Sequence, residues 1–244
     1  MVEVEVCANS VRSVIAAQRA GANRVELCVN LSEGGLTPFL SMIEKSLSMT
    51  DIEVNVLVRP RSGDFLYDDI DFDLMKKDIE WCGKLGCSGV VFGILTRDGS
   101  IDKMRCAELV TMASRYNMSV TFHRAFDHVL DVEKALFDVI ELGCKRILTP
   151  GGFPTAVDGV NTIKRLVDLS EDRIQIMPGG GITPQNVENL IIQTGVKAVH
   201  GSFLSPIESK MDYLNPNFSP ESDFIQYYSD EKIIKKVVDI AAKF

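Results

Sequence analysis

Four times in this sequence a helix-forming stretch ends on a glycine and passes at once into a short apolar run. The phrases are AGANRVEL at 20–27, LGCSGVVF at 85–92, LGCKRIL at 142–148 and TGVKAVH at 194–200. Glycine just past a helix takes the left-handed conformation that stops it, and a brief β-branched run after it reads as a strand. Similar runs at 2–7, 24–28, 53–59, 89–93, 119–123, 146–149, 174–177 and 198–200 alternate with helix-period segments at 10–20, 38–48, 71–85, 102–116, 131–142, 157–169, 184–193 and 230–242. Ser10, Asp71, Asp102, Asp131 and Thr183 stand where helix N-caps belong, with Pro184 suited to a first turn. Eight strand–helix units in 244 residues predict a single α/β domain over 1–244, a parallel (β/α)8 TIM barrel ringed by helices. An open doubly wound sheet is the rival arrangement.

The polar residues inside the apolar runs are the second constraint. Alternate side chains of a strand share a face, so Glu3, Glu5 and Cys7 go together, as do Glu26 and Cys28, Asn55, Leu57 and Arg59, and Thr121 and His123. Charges inside a closed sheet are costly unless paired or used. Barrel sites form at the C-terminal strand ends, here Cys7, Cys28, Arg59, Arg61, His123, Arg124, Thr149, Met177, Gly179 and His200. Glu5 and Glu26, on adjacent strands, are an expected general acid/base pair, with Arg59 or His123 compensating their repulsion. If the chain is an enzyme, these four are its catalytic candidates. The same groups would also serve as an ion-pair plug.

Gly179, Gly180 and Gly181 after the seventh strand and Ser202 after the eighth match the usual phosphate cradle of barrel enzymes. Arg61 and Arg124 are candidate countercharges for a small anionic ligand, and Gly151 with Gly152 adds a further flexible stretch. Cys7 and Cys28 close adjacent strands on one face, within reach of a shared soft ion such as Cu(I), and Met177 and His200 lie across the mouth as further ligands. No HExxH, CxxC or zinc-type spacing occurs among the six cysteines, and Cys82, Cys87, Cys106 and Cys144 read as small packing residues.

A formal charge of −8 without a basic run argues against a nucleic-acid surface. No apolar stretch approaches membrane-spanning length, and the chain enters a strand at once, which points to a cytoplasmic protein. Residues 205–229, rich in Ser, Pro, Asn and Tyr, are expected to form an irregular loop over the barrel mouth or an oligomer contact.

Longer blocks carry a resemblance. RVELC is followed by LSEGGLTP at 31–38, VRPRSGDFLY at 58–67, GVVFGILTRDG at 89–99, VTFHRAFD at 120–127, RILTPGG at 146–152 and IMPGGGI at 176–182. Over nearly its whole length the chain resembles the CutC family of copper homeostasis proteins, although Pro150 stands where that family usually has Ser. The resemblance implies a (β/α)8 barrel, a cytoplasmic homo-oligomer, a role in copper homeostasis, and Cu(I) at Cys7 and Cys28, with no nucleotide cofactor. SKMDYLNPN at 209–217 resembles the segment after strand eight. Three functions remain open: a copper-handling protein, an enzyme acting on a small anionic or phosphorylated metabolite, and an acidic scaffold for a protein partner.

Overall fold

The computed structural model describes residues 1–213, 215, 217–218 and 221–244. Strands β1 (Glu3–Ala8), β2 (Arg24–Leu27), β3 (Glu53–Leu57), β4 (Gly89–Phe92), β5 (Ser119–Phe122), β6 (Arg146–Thr149), β7 (Gln175–Pro178) and β8 (Ala198–Gly201) alternate with helices α1 (Val11–Ala20), α2 (Leu40–Met49), α3 (Asp69–Leu85), α4 (Lys103–Ser114), α5 (Val132–Glu141), α6 (Val160–Ser170), α7 (Val187–Thr194) and α8 (Glu231–Ala241). The strands are parallel, in the order β7-β6-β5-β4-β3-β2-β1-β8, and a parallel bridge between Gly179 and His200 spans the seam between β7 and β8. This is the expected (β/α)8 barrel. Among the described residues no helix is long and apolar enough to cross a membrane.

Alternation along each strand sorts the side chains as read. Val4, Val6, Val25, Leu27, Val54, Val56, Val90, Phe92, Val120, Phe122, Ile147 and Val199 face outward into one core shared with helix residues such as Val14, Met75, Ile79, Leu109 and Val237. Each such fully buried aliphatic side chain is worth about 1.5–3 kcal/mol in transfer from water, so the barrel's stability resides largely between sheet and helices. That leaves its interior open to polar groups. Register then sets their levels: Glu5 pairs with Arg24 on one side and His200 on the other, while Cys7 pairs with Glu26 and Glu26 with Asn55.

Three local expectations are corrected. Helix α3 starts earlier, with Asp68 rather than Asp71 as its cap, accepting from the Asp71 N–H. Helix α7 starts later, at Val187, because Asn186 Oδ1 accepts from the Thr183 N–H at 2.8 Å and holds 183–186 as a turn. The stretch 205–229 is not irregular throughout. Strands β9 (Leu204–Glu208) and β10 (Ile225–Ser229) form an antiparallel ribbon, fastened to the start of α1 by Asn9 Nδ2 donating to Tyr227 O and the Ser229 N–H to Ser13 Oγ. Pairing between two segments this far apart leaves no local periodicity to read. Leu214, Pro216, Ser219 and Pro220 of that stretch lie outside the described residues.

Candidate functional site

The lower interior of the barrel is a closed polar layer. Buried Arg24 donates from Nε to Glu5 Oε2 and from Nη1 to Glu3 Oε2, each at 2.7 Å, and its third guanidinium nitrogen, Nη2, reaches Met177 Sδ at 3.4 Å. Gln175 links Glu3 to Arg146. Met177 is therefore occupied deep in the barrel and is not the mouth ligand expected from its position at the end of β7. Arg24 went unrecognised in the sequence although it shares the face of Glu26 and Cys28; its place at the start of its strand is what sets it in this layer.

Above the layer Glu5 is fully buried, and its second oxygen, Oε1, lies 2.8 Å from His200 Nδ1. Burial pushes the Glu5 carboxyl up, but His200 and Arg24 outweigh that and hold it at about 2. Burial likewise opposes the His200 charge, yet hydrogen bonding to Cys7 and Glu5 holds that imidazole well above its ordinary value. The compensation expected from Arg59 or His123 thus comes from Arg24 and His200. Glu5 sits beneath the cavity floor, outside its lining.

The floor itself carries Cys7, Glu26 and His200, which line a cavity of about 850 Å³. The Cys7 thiol approaches Glu26 Oε1 and Cys28 Sγ, each at 3.7 Å. The Cys28 contact, followed by burial, raises the Cys7 thiol well above its usual range. Burial, with Glu5 repulsion working against the pull of His200, lifts Glu26 to about 7. Glu26 Oε2 is buried and has no hydrogen-bond partner among the described residues. Cys28 is fully buried beside Leu57 and Val91, behind the cavity surface.

Arg59, after β3, and His123, after β5, line the same cavity. Arg59 is locked by carbonyls: Nη1 donates to Glu33 O and Gly35 O and Nη2 to Gly63 O, all at 2.8 Å, while Nε has no hydrogen-bond partner among the described residues. His123 Nδ1 accepts the Ala125 N–H at 3.2 Å, which assigns the ring proton to Nε2, also buried without a partner among the described residues. Burial, then the nearby Arg59 charge, press His123 down to about 3, so the ring is neutral. The Phe65 ring lies against both, 4.9 Å from the imidazole centroid and 5.2 Å from the Arg59 Cζ.

Gly179, Gly180, Gly181, Ser202 and Arg124 line the rim as expected. Arg124 also reaches Asp127 Oδ2 at 3.3 Å. Arg61 does not join them. Strand β3 ends at Leu57, so its alternation no longer governs residue 61, which instead pairs with Asp71 at 2.7 Å and Asp64 at 3.1 Å over the Tyr67 ring. The Gly151–Gly152 turn is filled by the protein itself, with Asp127 Oδ1 accepting from the Gly152 N–H and the Thr149 hydroxyl.

Comparison with known proteins agrees with this fold. The CutC family model matches residues 2–205. A CutC family protein of Parabacteroides distasonis is 44% identical over 223 residues, 91% of each chain. A human copper homeostasis protein cutC homolog is 44% identical over 212 residues, covering 87% of this chain and 77% of the human one. The solved structure of CutC from Streptococcus agalactiae superposes with a TM-score of 0.78 at 34% identity, over 83% of this chain and 99% of that one. The chain belongs to the CutC family.

Proposed function

We propose that this protein acts in copper homeostasis, as a cytoplasmic homo-oligomer that holds Cu(I) between Cys7 and Cys28. The observation that carries the reading is the 3.7 Å separation of two free, buried sulfurs. Thiolates are the ligands a soft monovalent ion prefers. Metal–sulfur bonds near 2.3 Å would meet across that gap at a bent angle, leaving room for a third donor, for which His200 is placed. Relatives named copper homeostasis proteins support the role. The test is Cu(I) competition against a chelator: Cys7→Ser with Cys28→Ser is expected to abolish tight binding, and an unchanged affinity overturns the reading. Light scattering checks the oligomer, with a monomer mass counting against it.

A second reading is an enzyme acting on a small anionic or phosphorylated metabolite, which the unpartnered Arg59 Nε, His123 Nε2 and Glu26 Oε2 favour. Buried polar atoms are nearly always bonded, and three orphans in residues lining one cavity suit a ligand with matching oxygens. The Gly180 and Gly181 carbonyls are taken by the Ala156 N–H and Asn186 Nδ2, which leaves the N–H side of that loop for a phosphate. Here Glu26 and His123 would exchange protons with substrate, and Glu5 would act from below through His200. Thermal-shift titration with inorganic phosphate and a panel of small carboxylates tests it. Stabilisation lost in Arg59→Ala is expected; no shift with any anion, or one indifferent to Arg59→Ala, overturns it.

A further inference from the structure

We infer that Cys7, Glu26 and His200 form a three-ligand centre for a divalent, zinc-class ion whose remaining coordination position opens into the cavity. This does not rest on the Cu(I) reading and competes with it for Cys7. One sulfur, one carboxylate oxygen and one imidazole nitrogen from these residues lie within 4.8 Å of one another, all buried. Donors sharing a tetrahedral ion, with bonds of about 2.0–2.3 Å, stand roughly 3.3–3.8 Å apart. Cys7 Sγ and Glu26 Oε1 are already at 3.7 Å.

Three further features suit a metal better than a simple polar cluster. Among the described residues the buried Glu26 Oε2 has no partner, whereas an ion gripped by both carboxylate oxygens would satisfy it. Glu5 Oε1 holds His200 at Nδ1, at 2.8 Å, and is itself fixed by Arg24 at 2.7 Å. That is how a second carboxylate orients a metal-bound histidine, leaving Nε2 for a ligand. Charge also discriminates: a divalent ion neutralises one thiolate and one carboxylate, while a monovalent ion between two thiolates leaves a net negative charge in a buried site, which is costly.

Cys7, Glu26 and His200 line the cavity, and Cys28 does not. Three protein ligands with one position left open is the pattern of catalytic rather than structural zinc. The ligand class that fits the open position is an oxygen anion, a water-derived hydroxide or the carboxylate of a small metabolite. The Arg59 and His123 N–H groups that line the same cavity complement either. Binding of the ion releases the Cys7 proton to solvent.

Cobalt(II) titration of the metal-free protein, read by absorbance, tests the assignment, because thiolate ligation gives a near-ultraviolet charge-transfer band. The wild type is expected to bind one equivalent with that band. Cys7→Ser should lose the band. Glu26→Gln, which keeps the side-chain shape, and His200→Ala should each weaken Co(II) binding by about 10-fold or more, with circular dichroism confirming the fold. Cys28→Ser should keep the Co(II) band while losing Cu(I) affinity. No Co(II) binding by the wild type, or affinity untouched by both Glu26→Gln and His200→Ala, overturns the centre. Loss of the band in Cys28→Ser also overturns it, by moving the ion to the cysteine pair.

Discussion

His200 Nδ1 lies 2.8 Å from Glu5 Oε1, joining β8 to β1 directly below the cavity floor. The other Glu5 oxygen is held by Arg24 of β2 at 2.7 Å. One fully buried carboxylate thus ties three adjacent strands and sets the orientation of a floor residue.

Removing one partner of a buried ion pair strands the other charges. Glu5→Gln should therefore cost about 3 kcal/mol, read as a lower urea midpoint with an unchanged slope. A midpoint equal to that of wild type would show that the pair contributes nothing.

His123 supplies a pH dependence of definite sign. Its folded-state value is depressed to about 3 from 6.5, so the unfolded chain takes up a proton that the folded protein refuses. Its contribution is present above pH 6.5 and is lost as pH falls towards 3. At pH 5 the loss from this group approaches about 2 kcal/mol. Unfolding measured from pH 8 to pH 4 should show a shallower decline in His123→Asn, whose amide oxygen can still accept the Ala125 N–H. Parallel profiles for the two proteins would contradict this.

Gly35 has φ of +87°, and a Cβ there would lie 2.7 Å from Leu57 Cδ2. Its carbonyl also holds Arg59. Gly35→Ala combines backbone strain with displacement of Leu57, for a loss of about 1–3 kcal/mol. The same change should weaken any anion binding that depends on Arg59. Thermal melts with and without the bound anion separate the two effects.

A Cβ on Gly93 would stand 2.8 Å from His123 Nδ1 and 2.9 Å from Ala125 Cβ. Gly93→Ala is expected to push the imidazole off its Ala125 bond, shifting the His123 titration upward as the ring becomes less buried. Ring-proton NMR across pH reads this directly, and an unmoved titration would mean the neighbours absorb the methyl.

Parity was legible without coordinates. Residues 3, 5 and 7, or 24, 26 and 28, fall on one face by the two-residue repeat of a strand, and the helix–glycine–strand phrase repeats often enough to favour a closed barrel over an open sheet. The site residues Cys7, Glu26, Arg59 and His123 followed from that. Arg61 did not: the ladder of β3 runs on to the Val58 N–H bond with Val91 O, far enough to aim Arg59, whereas at residue 61 the backbone bends and nearby acids capture the side chain. The β9–β10 ribbon escaped for a related reason: its pairing joins segments about twenty residues apart.

Which segments become strands and the face each side chain takes were settled by local chemistry, because a backbone with a fixed repeat leaves no other choice. Which charge meets which was settled only by closure. The stagger of neighbouring strands sets Glu5 level with Arg24 and His200 rather than with Arg59, and Cys7 level with Glu26. Stagger is a property of the whole ring, decided by how eight strands tilt and pack their outer faces against the helices, so no single segment encodes it.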